Sequence, residues 1–296
     1  MPSIGRYLPF HFLCAVVLSA ADIDLKKIPF DLTPPPITEG EPAAGRRVLQ
    51  ALPEYQGSAV RHTLFLPNDW QPGRKFPLIV EYSGNGRTVS GGQACLGYGA
   101  SGGQGFIWLC LPFVTEDRSQ DTATWWGNVS ATVRYCQDAV AMVCTQWGGD
   151  PRAVFLAGFS RGAIACNVIG LHDDATAALW RGMICHSHYD DGRWKGTDQA
   201  SAAWRLTRLG QIPQFISNER PVVEKERIAD HLTAVKPDGA FTFITLPFAD
   251  HTEDWILRDL PARAQLRDWL QRVLAADRPP SRVNDLGQSN DKTPHR

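Results

Sequence analysis

Residues 153–162 read AVFLAGFSRG, a continuous apolar run that ends in a Gly-x-Ser-x-Gly motif. Residues 153–158 predict a strand that is buried on both faces, as in a parallel sheet. The small residues that follow Ser160 predict a helix that packs close to this strand. A sharp turn between the two elements would lift the Ser160 hydroxyl above the edge of the sheet, where the first amides of the helix could face a developing oxyanion. The motif therefore predicts a nucleophilic serine.

Predicted strands and helices alternate on both sides of this motif. Apolar runs predict strands at 60–66, 76–82, 105–111, 182–185, 213–217 and 241–246. Apolar residues at three-to-four spacing predict helices at 130–147 and near the end of the chain, and a polar helix is predicted at 223–235. Alternation of this kind predicts an α/β fold with a mostly parallel sheet and helices on both faces.

Four segments carry a resemblance to a known superfamily. They read RHTLFLPNDW (61–70), PLIVEYSGNG (77–86), WGGDPRAVFLAGFSRGAIACN (147–167) and, more weakly, LPFADHTEDW (246–255). Together they cover roughly residues 58–275, and the chain resembles the α/β-hydrolases. Within them it resembles secreted esterases of the feruloyl esterase and polyhydroxybutyrate depolymerase type. The resemblance implies an α/β-hydrolase fold and cleavage of polymer-linked or aryl esters.

The same resemblance implies a catalytic triad in the chain order serine, acid, histidine. Ser160 would be the nucleophile, and His251, in a loop after the last predicted strand, would be its base. Glu219 follows the penultimate strand, where relatives usually place an aspartate, and it is our predicted acid. Asp190 is the main rival. The other rivals are Asp191 and Glu224.

The loop after the strand at 76–82 would complete an oxyanion hole. It reads Ser83-Gly84-Asn85-Gly86, with serine where relatives commonly have histidine. By position, the backbone N–H groups of Asn85 and Arg161 are the predicted pair of oxyanion donors.

Two further segments suggest contacts with a substrate. His186 and His188 belong to the segment HSHYDD, which follows a strand next to the nucleophile strand. Imidazole and carboxylate groups at this spacing could bind a transition metal. We favour substrate-binding or supporting roles and predict no metal. Trp125 and Trp126 could stack on a sugar or aryl group, although core packing is the commoner use of tryptophan.

The N-terminal residues resemble a secretory signal. We predict a signal peptide at 1–21, an irregular proline-rich lead-in at 22–56, a hydrolase domain at 57–277 and a disordered tail at 278–296. This predicts a secreted or periplasmic protein. Removal of the signal would leave six cysteines, an even number that permits disulfides, and we expect one or two.

Composition limits the function classes. The net charge of -1 provides no basic field, so we expect neither nucleic acid nor a membrane as a partner. The leading hypothesis is a serine hydrolase that cleaves small-molecule or polymer-linked carboxylic esters and needs no cofactor. A serine peptidase of the same fold and a non-catalytic binding protein on this scaffold are the alternatives. The oligomeric state stays open.

Overall fold

The structure is a computed structural model and describes residues 23–277. The predicted signal peptide at 1–21 and the predicted tail at 278–296 lie outside the described residues. Within 23–277, no helix is long and apolar enough to cross a bilayer.

One sheet of nine strands organises the described residues. In spatial order it runs β1-β2-β3-β5-β4-β6-β7-β8-β9. All neighbours pair in parallel except β3, which is antiparallel to both β2 and β5. The strands are β1 (Ile37–Thr38), β2 (Arg47–Gln50), β3 (His62–Phe65), β4 (Phe76–Tyr82), β5 (Ile107–Leu111), β6 (Gly149–Phe159), β7 (Trp180–His186), β8 (Gln214–Asn218) and β9 (Phe241–Thr245).

The helices cover both faces of this sheet. They are α1 (Leu96–Ser101), α2 (Val129–Gln146), α3 (Arg161–Val168), α4 (Asp174–Ala177), α5 (Gln199–Leu206), α6 (Val223–Val235) and α7 (Pro261–Ala275). Apolar side chains of α2, α3 and α6 form one core with alternate strand residues such as Leu156, and α1 and α7 form a second core with the intervening residues such as Phe155. The predicted α/β-hydrolase architecture, a mostly parallel sheet between two helical layers, is confirmed.

The lead-in predicted at 22–56 is not wholly irregular. It contributes β1 and β2, which extend the sheet beyond β3. Val48 of β2 is fully buried in the core, so apolar burial stabilises a strand too short to give a clear alternating pattern.

The expected disulfides are not formed among residues 23–277, which corrects the prediction. The six cysteines at positions 95, 110, 136, 144, 166 and 185 are free and buried. They lie on or next to α1, β5, α2, α3 and β7, where the thiol fills core space as a small hydrophobe.

Candidate active site

Ser160 occupies the tight turn between β6 and α3. Its backbone has φ 54° and ψ -116°, a conformation that is rare for a residue with a Cβ, and its N–H donates to the His186 carbonyl at 3.0 Å. The flanking glycines permit the turn sterically. A Cβ on Gly158 would lie 2.1 Å from the Gly162 carbonyl, and one on Gly162 would lie 1.9 Å from the Tyr82 oxygen. Both positions therefore need glycine, which explains the motif.

His251 reaches the serine from the loop after β9. Its Nε2 lies 3.2 Å from the Ser160 Oγ, within hydrogen-bond distance of a general base. The ring packs at 4.7 Å between centroids on Phe159, and half of the side chain (51%) remains exposed. The serine and the histidine chosen from the sequence are thus in direct contact.

Glu219 follows β8 and stands behind the imidazole. Its Oε1 lies 3.3 Å from Nδ1 of His251, on the side that faces away from the serine. Burial raises the pKa of Glu219, but the hydrogen bond with His251 and the charge of His186 outweigh burial and bring the pKa to about 2. The Glu219 carboxylate is therefore ionised at neutral pH.

The three rival carboxylates have other partners. Asp190 is fully buried and accepts from Arg205 at 2.7 and 2.9 Å. Asp191 pairs with Arg193 and Arg227, and Glu224 also pairs with Arg227. Of the four carboxylates considered from the sequence, Glu219 is the one that the structure brings to His251.

Ser187 was not among the site residues predicted from the sequence. Its Oγ lies 2.8 Å from Nδ1 of His251, closer than the Glu219 carboxylate. Ser187 lies between His186 and His188, which were predicted to contact a substrate, and no motif marks the serine itself. A strand end at the rim of the sheet was the one available indication, because such positions meet at the carboxyl edge.

The predicted oxyanion donors lie on two segments, the start of α3 and the loop after β4. Arg161 is the first residue of α3, where a backbone N–H has no partner within the helix. Asn85 lies in the exposed loop after β4, and its Oδ1 accepts from the Trp125 N–H at 3.0 Å. This bond holds the loop that carries the second predicted donor.

The Arg161 side chain has a role that the sequence did not indicate. It is buried, and its guanidinium donates to the carbonyls of Thr122, Trp125 and Arg87 at 2.9 to 3.2 Å and packs on the Phe113 ring. Burial lowers the pKa of Arg161 to about 10, so the group stays charged at neutral pH. This side chain thereby joins α3 to the loop after β4 and to the loop that contains Thr122 and Trp125.

Two buried acidic residues, Glu253 and Glu81, lie close to each other next to the loop of His251. Glu253 forms an ion pair with Arg87, and Glu81 accepts from the Trp108 indole at 2.7 Å and from backbone amides of α1. Burial, and then the proximity of Glu81, raise the pKa of Glu253 well above its ordinary value. The contact with Arg87 ties the residues after His251 to the loop after β4.

The four predicted substrate-contacting residues fall into two groups. His186 is fully buried, with Nδ1 3.0 Å from Ser217 Oγ and Nε2 2.9 Å from the Thr252 carbonyl, and so ties β7 to β8 and to the histidine loop. Trp126 is also buried, and its indole donates to the Lys195 carbonyl at 2.8 Å. Both side chains are buried and their polar atoms have protein partners, so contact of either residue with a substrate stays a prediction.

Trp125 and His188 are only partly buried. Trp125 is partly exposed and has φ 52°, while His188 packs its ring 5.1 Å from His251 and 4.6 Å from Trp194. Burial lowers the pKa of His188 to about 4, so its imidazole is neutral at physiological pH. In the part of the chain that the structure describes, no group of three or more histidine, cysteine or acidic residues is arranged to hold a metal ion.

Comparison with known proteins gives matches at the level of structure. No family model matches the chain, and no curated protein matches it in sequence. Among solved structures, a thermostable esterase superposes with a TM-score of 0.51 at 16% identity, over 76% of this chain and 62% of the esterase. Esterase 2 of Thermogutta terrifontis, phosphorylated by paraoxon, gives 0.52 at 14% identity over 77% and 93% of the two chains.

A third solved structure is a variant of the feruloyl esterase module of Clostridium thermocellum in complex with sinapinate. It superposes with a TM-score of 0.52 at 13% identity, over 82% of this chain and 94% of the module. Identities this low carry an argument about fold alone. The chain therefore has the α/β-hydrolase fold, and its structural relatives include esterases.

Proposed function

We propose that the protein is a serine hydrolase that cleaves carboxylic esters through an acyl-enzyme. The observation that carries the proposal is the Ser160–His251–Glu219 chain, with contacts of 3.2 and 3.3 Å. A serine hydroxyl becomes a nucleophile when a base receives its proton and a third group orients that base. These three residues meet both requirements.

The reaction would run in two halves. Ser160 Oγ attacks the ester carbonyl while its proton passes to Nε2 of His251, and the oxyanion is held by the N–H groups of Asn85 and Arg161. The C–O bond to the alcohol then breaks, and the proton on Nε2 leaves with the alcohol. Water attacks the acyl-enzyme in the same way, with His251 as base, and releases the acid and free Ser160. Glu219 stays ionised and stabilises the imidazolium.

The substrate class is proposed from the surroundings of the serine. Trp125 and His188 are the predicted contact residues whose side chains are not enclosed in the core, and both are aromatic. Flat apolar groups of an aryl ester or a polymer-linked ester would stack on them. An exported enzyme acting outside the cell would meet such polymers, in agreement with the signal peptide expected at 1–21.

Hydrolysis of p-nitrophenyl acetate by purified wild type and Ser160→Ala tests the proposal. We expect turnover in the wild type and a loss that approaches a millionfold in the variant. Circular dichroism controls for folding, and the corresponding p-nitroanilide measures peptidase-type cleavage of an amide. A variant that retains a tenth of the wild-type rate would show that Ser160 is not the nucleophile.

A further inference from the structure

We propose that Ser187 is a positioning residue, whose hydroxyl orients the His251 imidazole together with Glu219. The inference rests on the proposed function of the same site. Its first support is distance: Nδ1 of His251 lies 2.8 Å from the Ser187 Oγ and 3.3 Å from the Glu219 Oε1. The hydroxyl is therefore the nearer hydrogen-bond acceptor for the single Nδ1 proton.

The backbone of Ser187 holds the hydroxyl in place through an unfavourable conformation. With φ 80° it is one of four non-glycine residues in 23–277 that have a positive φ, and Ser160 is another. Such a conformation persists when its surroundings fix it. The Ser187 N–H donates to the Ser217 carbonyl at 2.7 Å, and the Ser187 carbonyl accepts from Asn218 Nδ2 at 2.9 Å.

Counting protons gives the hydroxyl a specific part in the site. When Nδ1 donates to Oγ, the hydroxyl proton of Ser187 remains free to donate to a second acceptor. Burial raises the pKa of Glu219, and His251 and His186 lower it. A hydrogen bond from Ser187 adds a smaller lowering of the same pKa. The Ser187 hydroxyl therefore accepts from the imidazole of His251 and donates to the carboxylate of Glu219, and so links the two groups.

The neighbouring histidine supports the same orientation. Nδ1 of His188 lies 3.3 Å from the Ser187 Oγ, and this imidazole is neutral because burial lowers its pKa to about 4. A neutral ring adds no positive charge beside His251. When Ser160 loses its proton to Nε2, Nδ1 keeps its own proton, and Ser187 and Glu219 both stabilise the resulting imidazolium.

Two variants of Ser187 separate the hydroxyl from the backbone. Ser187→Gly removes the hydroxyl and tolerates φ 80°, so it should fold at least as stably as the wild type. Ser187→Ala removes the hydroxyl and keeps the Cβ. A hydrogen bond to a charged group predicts a loss in kcat of about 10- to 100-fold for both variants, with KM within about twofold. Ser58→Ala, a partly buried serine whose hydroxyl bonds to the backbone of Tyr55 and Val60, is the matched control and should keep its kcat.

A double variant shows whether Ser187 acts through the same imidazole as Glu219. If it does, Ser187→Gly combined with Glu219→Gln should lose at least about fivefold less than the product of the two single losses. Losses that multiply, a kcat within twofold of wild type in Ser187→Gly, or an equal loss in Ser58→Ala would each overturn the inference.

A spectroscopic measurement keeps this inference separate from the proposed function. In protein labelled with ¹⁵N-histidine, the Nδ1–H signal missing from His251→Asn identifies the imidazole proton. It should be protected from exchange in the wild type and exposed to exchange in Ser187→Gly, whether or not any ester is cleaved. Equal protection in both proteins would contradict the positioning role, whereas a wild type that cleaves no ester would contradict the proposed function alone.

Discussion

Replacing Glu219 by glutamine removes a negative charge that lies 3.3 Å from Nδ1 of His251 and leaves the shape of the side chain unchanged. At this distance and an effective dielectric constant of about 20, the carboxylate stabilises a full imidazolium charge by about 5 kcal/mol. That energy corresponds to a loss in kcat of about 5,000-fold. Half of the His251 side chain is exposed to water, which screens the charge, and Ser187 still accepts from Nδ1. We therefore expect a loss of at least about 100-fold.

The matched control is Asp190→Asn, which changes a carboxylate of the same neighbourhood that pairs with Arg205. This variant leaves the partly buried Arg205 guanidinium without its counter-charge and should lower the unfolding free energy by about 3 kcal/mol. Its kcat should stay within tenfold of wild type, because Asp190 makes no contact with His251. Turnover at saturating p-nitrophenyl acetate, with thermal unfolding of each variant, measures both effects. A crippled Asp190→Asn beside an active Glu219→Gln would refute the assignment of the acid.

Four further outcomes follow from the described contacts. Arg161→Met should lower kcat and melt at a lower temperature, because the carbonyl groups of Ser83, Arg87, Thr122 and Trp125 lose a donor. Replacement of the exposed Arg152 by methionine should change neither, and a thermal scan with the esterase assay compares the two variants. Trp126→Ala should lose about 3 to 5 kcal/mol of stability. Trp125→Ala should fold normally and raise KM for a p-nitrophenyl ester of an aromatic acid more than for p-nitrophenyl acetate. The pKa of Glu219 in the folded protein, about 2, lies below its ordinary value of 4.5. The carboxylate therefore stabilises the fold above about pH 4.5, and this contribution fades as the pH falls towards 2. The difference in melting temperature between wild type and Glu219→Gln should shrink over that window. A thiol reagent should leave the six cysteines of residues 23–277 unlabelled in the native protein and label all six after unfolding. Cysteines of the unfolded protein that become labelled only after a reductant is added would reveal a disulfide.

The fold could be predicted because its main signal is local. Residues 153–158 are apolar on both faces, and residues 76–82 are apolar except for Glu81. A strand between two helical layers requires such a pattern, and the two stretches lie in β6 and β4. The antiparallel pairings of β3 could not be inferred, since strand direction depends on distant partners. The strands β1 and β2 were missed because two to four residues carry no period, and tertiary burial decides their conformation.

The candidate site could be predicted where topology alone decides position. The carboxyl ends of parallel strands share one edge, so the ends of β6 and β8 and the loop after β9 bring Ser160, Glu219 and His251 together. The direction of a side chain beyond a strand end depends on backbone angles that no pattern encodes. No sequence pattern therefore indicated that His186 is buried in the core, or that Ser187, at φ 80°, contacts the imidazole of His251.

The central claim, that Ser160 is an activated nucleophile, has a direct covalent test. An alkyl fluorophosphonate reacts with a serine whose hydroxyl is deprotonated by a neighbouring base. Trypsin releases residues 153–161 as AVFLAGFSR, in which Ser160 is the one hydroxyl-bearing residue. We predict a single adduct on this peptide, its disappearance in Ser160→Ala and a large decrease in labelling rate in His251→Asn. An unlabelled wild type, or an adduct on another peptide, would contradict the claim.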